Sequence, residues 1–207
     1  EDGDQAGFDG LLFGEDAFAL AEPSVGAALG QAIKAAALEL GGMRPVEIGT
    51  EGGGLGAWMA CFRTLQATEI WQQHGAWIGR VKPTFGSEIA QRFQWAKSVA
   101  DSPRGNEAER RLAFARCMDA LLAGGAALCI PTIPDIAPLI GLAGEASQQF
   151  RDRTLSLTCI AGLAKLPQVT MPAAQVDGCP VALSLIGRRG SDRQLLALAA
   201  RVAGRLG

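Results

Sequence analysis

Asp177-Gly178 stands between two apolar runs, residues 169–171 and 181–186. An Asp-Gly pair in that setting favours positive φ in the turn, so the segment is predicted to be a hairpin of two strands. Another apolar run, residues 126–130, stops at Pro131, and the chain then turns through Pro134 and Pro138. Proline cannot donate to a sheet ladder, which suits a buried strand ending at a rim. Asp192 precedes a leucine-rich segment, a position where a carboxylate caps free helix N–H groups.

Upstream, the pattern alternates between strand and helix. Residues 10–13 read as a short strand. Residues 23–40 read as a helix that opens on Pro23 and carries Val25, Ala28, Leu29, Ala32, Ile33, Ala36 and Leu40 as one apolar stripe. Gly41-Gly42 closes it, and residues 44–48 read as the next strand, giving a strand–helix–strand unit. Helices follow over 55–74, 85–100, 107–122 and 148–164, with a turn at 102–105 and a last helix at 192–203. In the 107–122 helix, Leu112, Ala115, Met118, Leu121 and Leu122 are expected to face inward, with Glu107, Arg110 and Arg111 in solvent. Residues 1–207 thus read as a single α/β domain, its mixed β-sheet packed around with helices.

Residues 1–9, opening with Glu1-Asp2-Gly3-Asp4, read as a cut or disordered end and lack the basic-then-apolar pattern of a signal peptide. A formal net charge of −2 gives no basic field, so neither nucleic acid nor an anionic membrane is an expected partner. No segment reaches the roughly 20 apolar residues of a membrane-spanning helix. Cys61, Cys117, Cys129, Cys159 and Cys179 form no CxxC pair, which points to a reducing, cytoplasmic compartment without a disulfide framework. One histidine and scattered cysteines make no ligand set, so no metal or organic cofactor is expected.

Pro131-Thr132 with Pro134, the stretch 158–167, Pro172, Asp177-Gly178 with Pro180, residues 185–187, and Asp192 with Leu195-Leu196 occur in an order that resembles the carboxyl-terminal half of amidase signature family hydrolases. Phe62-Arg63, Gln66, Glu69, His74-Gly75, Trp77-Ile78, Lys82-Pro83 and Arg92 are similar to the middle of small amidases of the indoleacetamide hydrolase kind. The resemblance implies hydrolysis of an amide C–N bond through a Ser–cis-Ser–Lys triad held in the amino-terminal half of the complete enzyme. That half carries a glycine- and serine-rich signature, which supplies both serines and the oxyanion amides. The nearest segment here, Gly49-Thr50-Glu51-Gly52-Gly53-Gly54, contains no serine. Ser24, Ser87 and Ser98 sit in helix-like surroundings. The chain is therefore expected to be an amidase half that begins after the catalytic signature, inactive alone, with the missing amino-terminal half as its partner.

Several residues invite a catalytic reading and fail it on chemistry. His74 could serve as a general base, yet a lone histidine near a helix end reads as a capping or partly buried residue, and the family's base is a lysine. Cys129 and Cys159 lie among apolar residues where nothing lowers a thiol pKa. Asp101, Glu107 and Glu109 read as solvated charge. The glycine run at 49–56 lacks the Lys-Ser/Thr end of a phosphate loop.

The resemblance instead implies channel walls. Expected substrate-contacting residues are Trp71, His74 and Trp77 from the middle helices, Pro131, Thr132 and Ile133 at the strand mouth, and Leu155, Thr158 and Gly162 from the 148–164 helix. Where the glutamine-using subunit of the tRNA-dependent amidotransferase has an ammonium-binding aspartate, this chain has Leu155. That favours an aryl or alkyl amide over glutamine. A non-catalytic amidase-like subunit and an unrelated binding module are the alternatives. Loss of the signature half is expected to bare apolar surface and a strand edge, and so to drive self-association.

Overall fold

A computed structural model describes residues 7–50, 52–102 and 105–206. The hairpin predicted from Asp177-Gly178 is present: β4 (Gln168–Val176) pairs antiparallel with β5 (Cys179–Ile186). Asp177 and Gly178 have φ of 49° and 76°, the two positive values that a tight hairpin turn requires. A break in register between Pro172 and Ala174 marks a bulge in β4, which lies at the sheet edge.

The remaining strands are β1 (Gly10–Gly14), β2 (Met43–Val46) and β3 (Ala126–Pro131). They complete a sheet of order β2-β1-β3-β5-β4, in which β2, β1 and β3 run parallel and β5 runs antiparallel to β3. The sheet is thus mixed, as the alternation and the hairpin together imply. Strand β2 starts one residue and ends two residues earlier than the apolar pattern suggests. Its Pro45 is tolerated because β2 is an edge strand.

Alternate residues of the inner strands β1, β3 and β5 feed two separate cores. On one face Leu12, Leu128, Ile130 and Ile186 pack with Trp58, Met118, Leu157 and Ile160. On the other, Leu11, Ala127, Cys129, Leu183 and Leu185 meet Ala32, Ala36, Leu195 and Leu198. Burial on both faces explains why these strands read as unbroken apolar runs.

The first core is covered by α4 (Gly54–Val81), α6 (Glu107–Leu122) and α7 (Gly144–Ala164), with α5 (Ser87–Asp101) packed on α4. The second is covered by α2 (Pro23–Ala28), α3 (Gly30–Glu39) and α8 (Asp192–Gly204). A short α1 (Glu15–Phe18) follows β1. The expected 23–40 helix is interrupted at Leu29, which is fully buried and caps α2.

Several local expectations are corrected. Leu112 is exposed, and Phe114 takes the inward position instead. Arg110 and Arg111 are half-buried and donate to the carbonyls of Ala57 and Leu163, tying α6 to its neighbours. Ser191, not Asp192, is the α8 cap residue, and Asp192 lies in the first turn, where its charge suits the helix dipole. Residues 1–6 of the expected disordered end lie outside the described residues. Phe8 packs into the second core and Asp9 N–H donates to the Gly125 carbonyl, so residues 7–9 are ordered. In the turn expected at 102–105, Pro103 and Arg104 also lie outside the described residues.

Asp16 binds the carboxyl ends of β1 and β2 together. Its carboxylate accepts from the backbone N–H of Ile48 at 3.0 Å and of Gly49 at 2.8 Å, besides its own neighbour Ala17. Gly14 allows the close approach, since a Cβ there would come within 2.8 Å of Ile48. Replacing Asp16 with Ala leaves two part-buried donors unsatisfied, and the expected loss is about 1–3 kcal/mol in urea denaturation. Asp16→Asn, which keeps one acceptor oxygen, loses less. Equal stability of Asp16→Ala and the parent would rule this role out.

At the far end, Glu39 accepts from Arg201 and Arg205, joining α3 to α8. The Arg205 hydrogen bond, with help from Arg201 and against partial desolvation, holds the Glu39 carboxyl below its ordinary pKa of 4.5. This tie contributes above the ordinary carboxylate pKa and fades as pH falls below it.

Candidate functional site

Three helices line one cavity. From α4 come Arg63, Gln66, Ala67 and Ile70; from α5, Arg92, Trp95 and Ala96; from α7, Arg151, Thr154, Leu155 and Thr158. The α4 and α5 rows follow i, i+3, i+4, the spacing of one helix face, and α7 also brings Gln148, Phe150 and Asp152 to the lining. Together they enclose a cavity of about 520 Å3, open to solvent on one side. Its size is within the range of small-molecule sites, and its lining mixes apolar wall with a few polar groups.

The polar groups are arranged in pairs. Arg63 lies 3.2 Å from an Asp152 oxygen and stacks its guanidinium 5.2 Å above the Trp95 ring. Gln148 donates to the same Asp152 oxygen at 2.8 Å. Arg151 pairs with Glu88 at 3.0 Å, and Arg92 approaches the same Glu88 oxygen at 3.9 Å. Below the cavity, Arg153 pairs with Glu22 at 2.7 Å, and Glu22 N–H donates to the Pro134 carbonyl. This links α7 to the loop that leaves β3.

The residues expected to contact substrate separate into three places. Leu155 and Thr158 line the cavity. Gly162, one turn further along α7, is exposed, and a Cβ there would lie 3.6 Å from the Phe62 ring of α4. Trp71, His74 and Trp77 continue along α4 beyond Ile70. His74 meets Phe93 edge-on at 6.2 Å, and Trp77 meets Phe85 at 6.3 Å. His74 is exposed and sits in mid-helix, because α4 runs on to Val81; the helix-end reading of it is corrected.

Pro131, Thr132 and Ile133 form the third place, at the end of β3. Pro131 is buried, Thr132 and Ile133 half-buried. The Thr132 N–H donates to the Ala182 carbonyl, and its hydroxyl meets Ser184 Oγ at 2.8 Å. Fully buried Ser184 also contacts Gln168 and Thr170, so the hydroxyl cluster satisfies itself within the sheet.

Sequence reasoning did not assign Trp95, Arg151, Asp152 or Gln148 to this site. No local sequence signal groups them, because they stand on two helices far apart in the chain that only packing brings together.

The buried thiols have no nucleophilic role at neutral pH. Burial pushes Cys129 and Cys159 up to about 12. Cys61 is raised as well, chiefly by desolvation and against the pull of Arg110. A thiol-specific reagent at pH 8 is expected to leave both Cys129 and Cys159 unmodified in the native protein and to label them after unfolding. Because the folded-state values lie above the ordinary thiol value of 9.0, their contribution is full below that pH and is lost as pH climbs toward 12. A stability profile flat over that interval, or rapid native labelling, would contradict this. Among the described residues no three His, Cys, Asp or Glu side chains stand together as a metal site, and no helix is long and apolar enough to cross a membrane.

Comparisons with known proteins agree with this architecture. A crystal structure of an amidase superposes with a TM-score of 0.80 at 20% identity, over 99% of this chain and 47% of that one. A bacterial aryl acylamidase of the amidase signature family gives 0.76 at 16% identity, over 96% and 44%. At such identities these matches establish the fold.

In sequence, Amidase 1 of Oryza sativa subsp. japonica is 34% identical over 135 residues, which cover 65% of this chain and 31% of that protein. The chloroplastic Outer envelope protein 64 of Arabidopsis thaliana is 33% identical over 136 residues, 64% of this chain and 22% of that protein. The matched region thus spans about a third or less of these relatives, and this chain is part of the amidase fold. The amidase family profile matches residues 64–196, a span that holds the α4 and α7 rows of the cavity, the sheet hairpin and the start of α8; the chain belongs to the amidase family.

Proposed function

We propose that this chain is the substrate-channel half of an amidase that hydrolyses the C–N bond of a small apolar aryl or alkyl carboxamide. The observation that carries this reading is Leu155 in the cavity wall between α4, α5 and α7, within a chain of shown family membership. Leucine offers a substrate an apolar contact and offers an ammonium group nothing. Trp71, His74, Trp77, Pro131, Thr132, Ile133, Thr158 and Gly162 extend the proposed channel around it.

The reacting groups come from the amino-terminal signature half. A serine Oγ, deprotonated through the cis-Ser–Lys relay, attacks the amide carbon, and backbone N–H groups hold the oxyanion. The C–N bond then breaks, the leaving amine takes the relayed proton, and water releases the acid from the acyl-enzyme.

The test is to join this chain to an amidase signature half, by co-expression or fusion, and to assay indole-3-acetamide and simple anilides. Turnover by the joined protein is expected. Leu155→Asp should lower kcat/KM on these amides about tenfold or more, since it places a carboxylate against an apolar group. A joined, folded protein that hydrolyses no such amide sinks the reading.

The second reading is a non-catalytic amidase-like subunit that binds a partner or ligand, and the sequence upstream of Glu1 separates it from the first. In either case, exposed Leu139, Ile140 and Leu142 lie together in the loop after β3, and β4 is an open strand edge. Self-association of the lone chain, most simply as a dimer, is expected. Sedimentation at several concentrations checks it, and a monomer throughout that binds no hydrophobic dye contradicts it.

A further inference from the structure

Charge around the cavity does not balance. Arg63 is fully engaged, with Asp152 as counter-ion and the Trp95 ring beneath it. Arg92 and Arg151 are differently placed. Both reach Glu88 Oε2, at 3.9 Å and 3.0 Å, so two guanidinium groups share one carboxylate oxygen. Asp152 is the only acidic residue among those described as lining the cavity, and Arg63 already holds it. Among the described residues, the ion pairs at the Arg92–Arg151 end thus set two guanidinium groups against one carboxylate. Guanidinium groups are suited to planar, bidentate pairing with a carboxylate. Across the cavity, Ile70, Ala67 and Leu155 supply apolar wall.

We infer that the cavity takes a ligand with one carboxylate, held by Arg92 and Arg151, and an apolar body lying against Ile70 and Leu155. This deepens the amidase reading and rests on it for the amide group: the substrate class becomes a carboxamide that also carries a carboxylate away from the scissile bond. The carboxylate supplies a second counter-charge, and Glu88 prevents the two arginines from repelling one another in the empty site. A neutral amide of the same shape fills the apolar wall and brings no second counter-charge.

Direct binding to the chain tests the inference without turnover. The probes are 4-carbamoylbenzoate and the neutral 4-(hydroxymethyl)benzamide, titrated by calorimetry or by ligand NMR. The carboxylate is expected to bind about tenfold more tightly or better. Raising salt from about 50 to about 300 mM should narrow that ratio, because both arginines lie at the solvent-facing rim. Arg92→Gln should bring the two ligands within about threefold of one another, and Arg151→Gln should act the same way. Arg189→Gln, which removes an ion pair with Asp119 elsewhere, should leave the preference intact.

Equal affinities, a preference undiminished in both Arg92→Gln and Arg151→Gln, or no saturable binding of either probe overturns the inference. An amidase that hydrolyses neutral amides with no anion preference would sink this inference alone. Anion-selective binding with no hydrolysis by the joined protein would sink the proposed reaction alone.

Discussion

Purified by itself, the chain is expected to hydrolyse neither indole-3-acetamide nor an anilide above the buffer rate, about a millionfold or more below the joined protein. Among the described residues, the candidate nucleophiles and base are placed where they cannot act. His74 is exposed and packs edge-on to Phe93, with no serine or cysteine bonded to it. Burial keeps Cys129 and Cys159 protonated. Ser184 is enclosed by Thr132, Gln168 and Thr170, hydroxyl and amide groups that cannot act as a base at neutral pH. Steady-state assays with enzyme repurified over two columns provide the check. Turnover that tracks the protein and disappears in His74→Ala would reopen chemistry within this chain.

The largest expected loss of stability comes from the first core, where Trp58 and Phe114 stack with centroids 4.7 Å apart and planes 22° from parallel. Both are almost fully buried, and the Arg110 guanidinium lies 5.7 Å from the Phe114 centroid. The pair joins α4 to α6, and Trp58 lies over the strands through the same cluster as Leu128 and Ile130. Trp58→Ala should cost about 3–5 kcal/mol, a large share of the roughly 5–15 kcal/mol that holds a domain together. The corresponding fall in Tm is about 6–20 °C for a chain of this size. Trp58→Phe keeps the stack and should lose roughly half as much or less. A loss below about 1 kcal/mol for the alanine variant would mean that α4 and α6 are held by other contacts.

The inner strands β3 and β5 were legible because burial on both faces writes them as apolar runs, β3 closed by proline and β5 preceded by Asp-Gly, whereas edge strand β2 is mostly exposed. Helix ends were less so. The α4 pattern fades because its last buried residue is Ala67, and the turns beyond meet Phe85 and Phe93 and carry exposed Trp77 and Val81. Leu112 misled for a related reason. Apolar residues occur on both sides of α6, and burial selects the side that meets Trp58, which is that of Phe114 and Met118. At the site, Leu155 and Thr158 could be named from the resemblance, since they stand in one short matched segment. The arginines could not be assembled from sequence. Arg63, Arg92 and Arg151 lie on three helices far apart in the chain, and only the packing of α4, α5 and α7 brings them to one cavity.

Register in the middle of the sheet sets when the fold can form. Gly10 pairs with Ala126 and Phe13 with Cys129, so β1 finds its inner partner only after the whole α4–α5–α6 excursion has been made. Closing so long a loop is entropically costly and slow. During synthesis, β1 and β2 emerge well before β3, as a parallel pair whose Leu11 and Leu12 are destined for opposite cores. Until β3 arrives, that pair has an open edge and apolar side chains on both faces, the kind of intermediate that recruits neighbouring chains. Release of polypeptide before residue 131 is therefore a point of danger for this protein in a way that release after it is not. Its yield in a cell will follow the speed at which the ribosome delivers the segment from Gly54 to Pro131.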